Sequence, residues 1–345
     1  MTYFSGTYFN CPYFKCIAAV LCVFSTALAQ AQNPSADAGG FAVVNHNPLI
    51  SIRGLGRDWG TQVTPVGQHA VQMGYSVASS FDGGQTATER VDLDGESERA
   101  EFRVFWGIAP GWEVGAEVPY VRHSGGYLDN LIIDWHDWFD LPQNGRDVAA
   151  TGVLDFSYAN AAGAQLAVLD DAAGLGDVQL FVGRTLAHAP RSATTLRAHL
   201  KLPTGDDQEL LGSGGVDGGV SVHHWRSLGG GFDMGAWLGV NYLNSGDVLA
   251  DQVRSVVGQA GIRTAWSPND RIALRVQWDM HSQVYENSKL RQLNEIAYLL
   301  SFGGTVKLGA RSALDIVVVE NYLHPEISPD VAFQLAWRWL PQARQ

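Results

Sequence analysis

The sequence has no cysteine after residue 22. Its three cysteines are Cys11, Cys16 and Cys22. All three fall in a predicted secretory signal peptide over residues 1–29, in which Lys15 precedes a short apolar run and Ala27-Leu28-Ala29 forms a cleavage motif. The mature chain is therefore expected to cross an oxidising compartment without disulfides, reactive thiols or thiolate metal ligands. Leu21 argues against a lipoprotein anchor at Cys22, because such a site needs a small residue there.

The sequence also lacks long apolar runs and a net positive charge. No stretch beyond the signal has about eighteen consecutive apolar residues, so no helix is predicted to span a membrane. The net charge of −12 argues against nucleic acid as a partner. No Pro/Ser-rich linker divides the chain, and no pattern of ligands points to a cofactor. A single large domain fits this length.

Strict alternation of apolar and polar residues is what the sequence does contain. From Arg271 to Ser282, Ile272, Leu274 and Val276 alternate with charged or small residues. A period of two over a dozen residues indicates a β-strand with one apolar and one polar face. Val253–Trp266 alternates in the same way, and the Pro268 turn joins the two stretches into a long hairpin. Strands of about ten residues are what a membrane-spanning barrel needs.

The same pattern recurs along the chain and predicts an all-β fold, a transmembrane antiparallel up-and-down β-barrel of about twelve strands over residues 67–345. The predicted strands are His69–Ser79, Glu98–Ile108, Trp112–Val121, Asp177–Thr185, Ala193–Leu202, Gly218–Trp225, Phe232–Leu243, Val253–Trp266, Arg271–Ser282, Ala297–Leu308, Ala313–Glu320 and Val331–Trp339. Residues 30–66 show little periodicity and are interpreted as an N-terminal periplasmic or lumenal segment.

The connections alternate between short and long, which is typical of outer-membrane barrels with periplasmic turns and long outer loops. Five tryptophans fall at predicted periplasmic ends: Trp112, Trp225, Trp266, Trp337 and Trp339. Tyr120, Tyr242, Trp278 and Tyr298 fall toward the outer ends, so two aromatic belts are expected. The last strand ends in aromatic residues, like the C-terminal signal read by the barrel-assembly machinery, although Pro341–Gln345 follow it. We predict export to the bacterial outer membrane.

Several stretches resemble a family of Gram-negative outer-membrane proteins known only as a domain of unknown function. They are Asn47-Pro48-Leu49, Gly54-Leu55, His136–Pro142, Gly174–Asp177, Lys201–Asp206, Gly212-Ser213-Gly214 and Asp217. The segment Leu202–Asp206 and the Gly-Ser-Gly piece are also similar to a wider group of outer-membrane channels, some of them linked to the degradation of aromatic compounds. The resemblance implies a barrel in the outer membrane and does not imply a substrate.

The long connection 122–176 is predicted to contain a short amphipathic helix. Apolar residues recur there at three- and four-residue spacing, and Pro142 ends the pattern. The candidate residues are Trp135, His136, Asp137, Trp138 and Phe139. One interpretation is a plug or lid at the barrel mouth; the other is a helix that covers the rim or lies in the outer leaflet. His136 and Asp137 are not a catalytic pair, because neighbours one apart do not face each other on a helix.

The predicted outer loops hold most of the 35 acidic residues and few basic ones. Such a rim would repel lipopolysaccharide phosphates unless divalent cations bridge the two, so membrane lipid and lipopolysaccharide are the expected partners. A solvated rim is the simpler interpretation. In the loop 203–217, Asp206, Asp207, Glu209 and Asp217 lack the spacing of a known calcium loop, and no metal site is predicted.

The predicted lumen face mixes acidic and basic residues. Arg263, Arg271 and Arg275, close together on one hairpin, form a candidate selectivity patch. These features favour a passive channel or porin-like transporter for small solutes. The alternative is a closed structural or adhesive barrel whose acidic loops bind a partner. A lipid-active enzyme would need a nucleophile and a base on the lipid-facing side, where His224 has no serine beside it, so no catalytic residues are assigned.

Overall fold

A computed structural model describes residues 39–140, 142–321 and 323–341, so the predicted signal peptide lies outside the described residues. The described residues form fifteen β-strands. They are β1 His69–Gln85, β2 Glu89–Ala109, β3 Trp112–Ser124, β4 Asp155–Asn160, β5 Gln165–Val168, β6 Ala172–Leu175, β7 Gln179–Ala189, β8 Ser192–Lys201, β9 Asp217–Gly229, β10 Phe232–Tyr242, β11 Val256–Trp266, β12 Ile272–His281, β13 Ala297–Lys307, β14 Ser312–Asn321 and β15 Val331–Trp339.

Twelve of these strands close into one antiparallel barrel wall. Each wall strand pairs with the next one along the chain, and β1 pairs with β15 to complete the ring, with Tyr75 opposite Leu335. Three short strands are not part of this ring: β4 pairs with β2, β5 pairs with β4, and β6 pairs with β3. The predicted all-β, twelve-stranded up-and-down barrel is therefore confirmed.

The two faces of the wall follow the alternation of the sequence. On β12, Val276 and Trp278 are exposed, whereas Arg275 and Gln277 are buried in the lumen. Every wall strand contributes at least one large exposed apolar side chain to the outer surface. Examples in strand order are Met73, Phe102, Val118, Leu180, Leu196, Val222, Leu238, Ile262, Val276, Val306, Ile316 and Leu335. This continuous apolar belt is the surface that a membrane-spanning barrel presents to lipid.

The aromatic residues agree with the predicted belts in most cases. Trp112 and Trp339 are exposed at the end of the barrel with the short turns, which we name the turn end. Tyr120 and Tyr242 are exposed at the opposite end, the loop end. Trp225 corrects the prediction: it is buried, because the odd-numbered positions of β9 face the lumen.

The predicted loop 80–97 is instead the continuation of two strands. β1 and β2 extend beyond the apolar belt and pair as far as Gln85 and Arg90. The predicted long connection 122–176 likewise contains β4, β5 and β6. Glycines and acidic residues hide these strands in the sequence, but Val91 and Leu93 point to an apolar cluster at the loop end.

This cluster, which we name the apolar cap, covers the loop end of the lumen. Its members come from the connections between wall strands and from residues near position 50. They include Leu49, Ile50, Val91, Leu93, Phe156, Tyr158, Leu210, Leu243, Val248, Val284, Tyr285, Leu293 and Ile327. Burial of so many apolar groups away from the wall gives the loop end a core of its own.

The helices are short. They are α1 Pro48–Ser51, α2 Asp129–Phe139 and α3 Arg291–Asn294, with 3₁₀ turns at Arg146–Val148, Ala250–Gln252 and Pro325–Ile327. α2 is the amphipathic helix predicted in the long connection, and it ends at Asp140 in the left-handed conformation, before Pro142. Over the described ranges no helix has the length and apolar character needed to cross a membrane.

Candidate functional site: a segment inside the lumen

Residues 39–66, which we name the lumenal segment, run inside the barrel. The backbone of Phe41 is held at mid-wall by Gln277, whose side chain accepts from the Phe41 N–H and donates to the Phe41 carbonyl, both over 2.8 Å. Asn45 Nδ2 then lies 3.0 Å from His281 Nε2. Because β12 runs from the turn end at Ile272 to the loop end at His281, this limb climbs toward the loop end.

The segment reverses direction in α1, under the apolar cap. Asn47 caps this helix by accepting a hydrogen bond from the Leu49 N–H over 3.0 Å, and Pro48 occupies the first helical turn. An asparagine cap followed by proline is a strong local signal for a helix start. Leu49 and Ile50 are each 1 % exposed within the cap. The Asn47-Pro48-Leu49 motif therefore builds the reversal.

The descending limb touches the wall through its backbone. Gly54 N donates to Asp217 Oδ2 over 2.8 Å, and His199 Nε2 donates to Gly54 O over 2.8 Å. Gly56 exchanges two hydrogen bonds with the side chain of Gln259, of 2.7 and 3.0 Å. A Cβ on Gly54 would lie 2.6 Å from Asp217 Cβ, so only glycine permits this approach.

Arg57 carries the limb's largest ionic contact. Its guanidinium binds Glu101 over 3.0 Å and Glu117 over 3.0 and 3.1 Å. The same two carboxylates also bind Arg99 and Arg103 from the wall itself. All of these side chains are at most 7 % exposed, so the contacts are poorly screened by solvent.

Asp58 points to the opposite side of the lumen. It forms an ion pair with Arg263 and lies 3.2 Å from His223 Nδ1. Burial alone would raise the pKa of Asp58, but the charge of Arg263 and the hydrogen bond with His223 outweigh that effect and lower it. On the climbing limb, burial lowers the pKa of His46 to about 3, so this imidazole is neutral inside the lumen.

His223 also contacts Ser221, with its Nε2 2.8 Å from Ser221 Oγ, which gives a Ser–His–Asp chain completed by Asp58. The arrangement has the order of a nucleophilic triad. However, all three residues are at most 6 % exposed, and a nucleophile must reach its substrate. With the lumenal segment docked, these hydrogen bonds hold Asp58 in place.

The limb meets the wall again at the turn end. Thr64 N donates to Glu113 Oε2 over 2.8 Å, and Arg197 pairs with Glu113 while its guanidinium donates to the carbonyls of Gly60 and Gln62. Val66 then bridges to Gly107, immediately before β1 begins. The lumenal segment thus crosses the lumen twice and is closely packed. A cavity between its two limbs and β10–β13 holds only about 30 Å³, room for about two water molecules.

The structure separates the three arginines of the predicted selectivity patch. Arg263 is paired with Asp58, and Arg271 lies exposed in the turn before β12. Arg275 is 3 % exposed in the lumen, and the ring of Phe41 lies 4.7 Å from its guanidinium. Its Nε and Nη1 have no hydrogen-bond partner among the described residues, and its only bond is a 3.5 Å contact with Thr305. Among the described residues, Arg275 is thus a buried cation of the barrel wall without a carboxylate ion pair.

The candidate residues of the long connection lie outside the lumen. Trp135, Trp138 and Phe139 are 47 %, 79 % and 36 % exposed, and Asp137 accepts a 2.7 Å hydrogen bond from Gln143. His136, between them, is partly buried in the same helix. Of the two interpretations of the helix in 122–176, this placement favours a helix that covers the rim: α2 packs against outward-facing residues of the wall, and the lumen holds the lumenal segment.

The acidic loop 203–217 also serves internal contacts. Asp217 pairs with Lys201 over 3.2 Å and accepts from the N–H of Asn244 over 2.9 Å, in addition to Gly54. Asp206 Oδ1 accepts from the Gln208 N–H over 2.9 Å. Within residues 39–140, 142–321 and 323–341 no cluster of three or more side chains is arranged to hold a metal ion.

Several solved structures are similar to this one. An outer membrane channel from Pseudomonas putida F1 matches with 12 % identity and a TM-score of 0.53, over 81 % of this chain and 97 % of that one. The NanC porin matches with 12 % identity and a TM-score of 0.44, over 79 % and 98 %. The Pseudomonas putida toluene transporter TodX matches with 9 % identity and a TM-score of 0.38, over 86 % and 98 %.

No curated protein matches the chain in sequence. A family model described as "protein of unknown function (DUF3187)" matches residues 16–339, which include the lumenal segment and all twelve strands of the wall. The chain therefore belongs to the DUF3187 family.

Proposed function

We propose that this protein is an outer-membrane channel for small solutes that its own lumenal segment closes at rest. The observation that carries the proposal is that the lumen is filled by a segment outside the sheet. A barrel of about eight strands can be filled by its own side chains, whereas one of twelve has a wider bore. Here residues 39–66 occupy that bore through side-chain and backbone contacts that can be broken without opening the wall.

Ion pairs within the wall support the proposal that the segment can leave the lumen. If the segment leaves, Glu101 and Glu117 still have Arg99 and Arg103, Glu113 still has Arg197, and Asp217 still has Lys201. A buried charge stripped of its only partner is strongly destabilising. The wall keeps these pairs in both states, as a channel requires, whereas the ion pair of Arg263 with Asp58 is lost when the segment leaves.

The competing function is a permanently closed structural barrel. The apolar cap favours it, because Leu49 and Ile50 fix the reversal of the segment beneath the loops. The two functions differ in whether the segment moves, and that can be measured.

The test uses the full mature chain in planar bilayers, with Asn45 and His281 replaced by cysteine. Their side chains are in contact, and the mature sequence has no other cysteine, so a short cleavable bis-thiol reagent would join segment to wall. We expect openings to stop on crosslinking and to return on reduction. Each single-cysteine variant, treated alike, is the control. A folded, heat-modifiable barrel that stays silent after reduction would contradict a channel.

Arg275 is our candidate for ion selectivity in the open state. A unit charge about 4 Å from a passing ion is worth about 1 kcal/mol even in water, roughly a fivefold preference. Arg275→Gln should therefore lower the chloride-to-potassium permeability ratio several-fold, as read from reversal potentials in a KCl gradient. Arg271→Gln, in the exposed turn, is the matched control and should leave the ratio unchanged. Equal shifts in both variants would remove Arg275 from this role.

The proposal also includes the surroundings of the barrel. The loop end would face outward, with its acidic rim beside lipopolysaccharide and bridging divalent cations, and the turn end would face the periplasm. The aromatic end of β15 supports recognition by the barrel-assembly machinery. The proposed function assigns no catalytic chemistry and no cofactor to the chain.

A further inference from the structure

α2 is attached to the outside of the barrel wall at its loop end. Leu128 and Ile132 are 4 % and 5 % exposed and pack against Val77, Val318 and Val331 of β1, β14 and β15. These three wall positions alternate in phase with Tyr75, Ile316 and Phe333, which are exposed in the apolar belt. The helix therefore covers the upper margin of the surface that the barrel presents to lipid.

Buried polar contacts fix the helix in this place. Glu96 of β2 accepts hydrogen bonds from the backbone N–H groups of Tyr127, over 2.7 Å, and of Leu128 at the helix start. Arg146, 3 % exposed, binds Asp129 of α2 and, over 2.6 Å, Asp330 next to β15. The helix is thus held to two different parts of the wall and its exposed side has a defined direction.

That exposed side is aromatic. Trp135 lies 4.4 Å from Phe139 and 6.5 Å from Trp138, centroid to centroid, and Trp138 lies 5.5 Å from Phe139. Leu131, 54 % exposed, extends the cluster along the helix. Isolated exposed apolar residues are ordinary, whereas a contiguous patch of this kind marks a contact surface. Tryptophan in particular is enriched where a bilayer meets water.

We propose that α2 is a membrane-contacting helix, whose Leu131, Trp135, Trp138 and Phe139 insert at the boundary between acyl chains and headgroups. The occupant is lipid, because the patch is continuous with the apolar belt through Val77, Val318 and Val331. The opposite side of the helix, with Asp137, stays in water. The helix thereby fixes the depth of the barrel beside the β1–β15 junction. This inference does not depend on whether the lumen opens.

The test places a nitroxide label on the full mature chain, which has no cysteine of its own. Trp138→Cys carries the label in the patch, and Asp137→Cys, about 100° away around the helix, is the matched control. The protein is reconstituted in phosphatidylethanolamine/phosphatidylglycerol vesicles. We expect the label at 138 to collide with oxygen and to be shielded at least fivefold more strongly than the label at 137 from a water-soluble nickel chelate.

Equal exposure of both labels to the chelate would overturn the proposal. Dipolar broadening between labels at 138 would overturn it as well, since a second copy would then cover the patch. If Trp138→Cys does not fold, Leu131→Cys replaces it. Quenching of the wild-type protein by brominated lipids gives an independent measurement, and Trp138→Phe should remove a resolvable part of it. Quenching that Trp138→Phe leaves unchanged would place this side chain outside the lipid.

Discussion

Replacing Arg57 by glutamine should shift the channel strongly toward its open state. Arg57 joins the lumenal segment to Glu101 and Glu117 in a site where all three side chains are almost fully buried. Breaking a buried ion pair from one side costs on the order of 3–5 kcal/mol. Because Arg99 and Arg103 remain on the two carboxylates, we expect the lower end, about 3 kcal/mol, or roughly a hundredfold change in the closed-to-open ratio. Single-channel open probability measures it.

The wall itself should survive this substitution. Its acidic groups keep two arginine partners each, so the heat-modifiable mobility of the refolded barrel should match the wild type. The matched control is Arg122→Gln, which removes an exposed arginine that pairs with Glu98 and Asp171 at the loop end and does not touch the segment. Its open probability should be that of the wild type. A tightly closed Arg57→Gln channel would show that these ion pairs do not hold the segment.

Lowering the pH from 7 to 5 should open the wild-type channel. His46 has a pKa of about 3 inside the lumen because burial disfavours its charged form. Once released into water, its pKa returns to about 6.5. The docked state therefore binds fewer protons, so its stability is full above about pH 6.5 and declines as the pH falls toward 3. At pH 5 this amounts to about 2 kcal/mol, roughly thirtyfold in the closed-to-open ratio.

Asp58 affects the stability of the docked segment only at lower pH. Its pKa is lowered in the lumen, so its contribution is complete above the unfolded value of about 4 and is lost only below it. The response between pH 7 and 5 should therefore depend on His46, and His46→Gln should reduce it at least tenfold. Three wall histidines, His199, His223 and His281, also bond the segment, and the acid response that remains in His46→Gln is assigned to them. A full acid response in His46→Gln would exclude the His46 mechanism.

Local patterns in the sequence account for the wall. The alternation of Ile272, Val276 and Trp278 with Arg275 and Gln277 fixes which face meets lipid, because the side-chain period of a strand is two. The amphipathic spacing of α2 is likewise local, and the helix lies where the sequence predicts it. Local sequence does not show whether α2 lies inside or outside the wall. That depends on whether Leu128 and Ile132 contact inward-facing or outward-facing residues of strands far away in the sequence.

For the same reason the sequence does not decide whether residues 30–66 form a periplasmic or a lumenal segment. The contacts of this segment join residues far apart along the chain, such as Phe41 and Gln277, which are 236 positions apart. A segment surrounded by wall on all sides has no solvent face, so it shows no period. Arg263, Arg271 and Arg275 look equivalent in the sequence. Only the register of β11 and β12 distinguishes one that pairs with Asp58, one that is exposed and one that is buried without a carboxylate. The adjacent opposite charges of Arg57 and Asp58 are a second local signal, beside the helix start at Asn47-Pro48.

The pairing of β1 with β15 constrains how this molecule can be assembled. The first and last strands complete the ring, and the lumenal segment is covalently joined to β1 at the turn end. Its reversal reaches the loop end, where Leu49 and Ile327 share the apolar cap. Two orders of events satisfy this topology: either the final strand docks around a segment already in position, or the segment threads as a folded loop through the finished ring. In the first order the segment serves as an internal template for ring closure, and its deletion slows maturation of a barrel whose wall is otherwise complete.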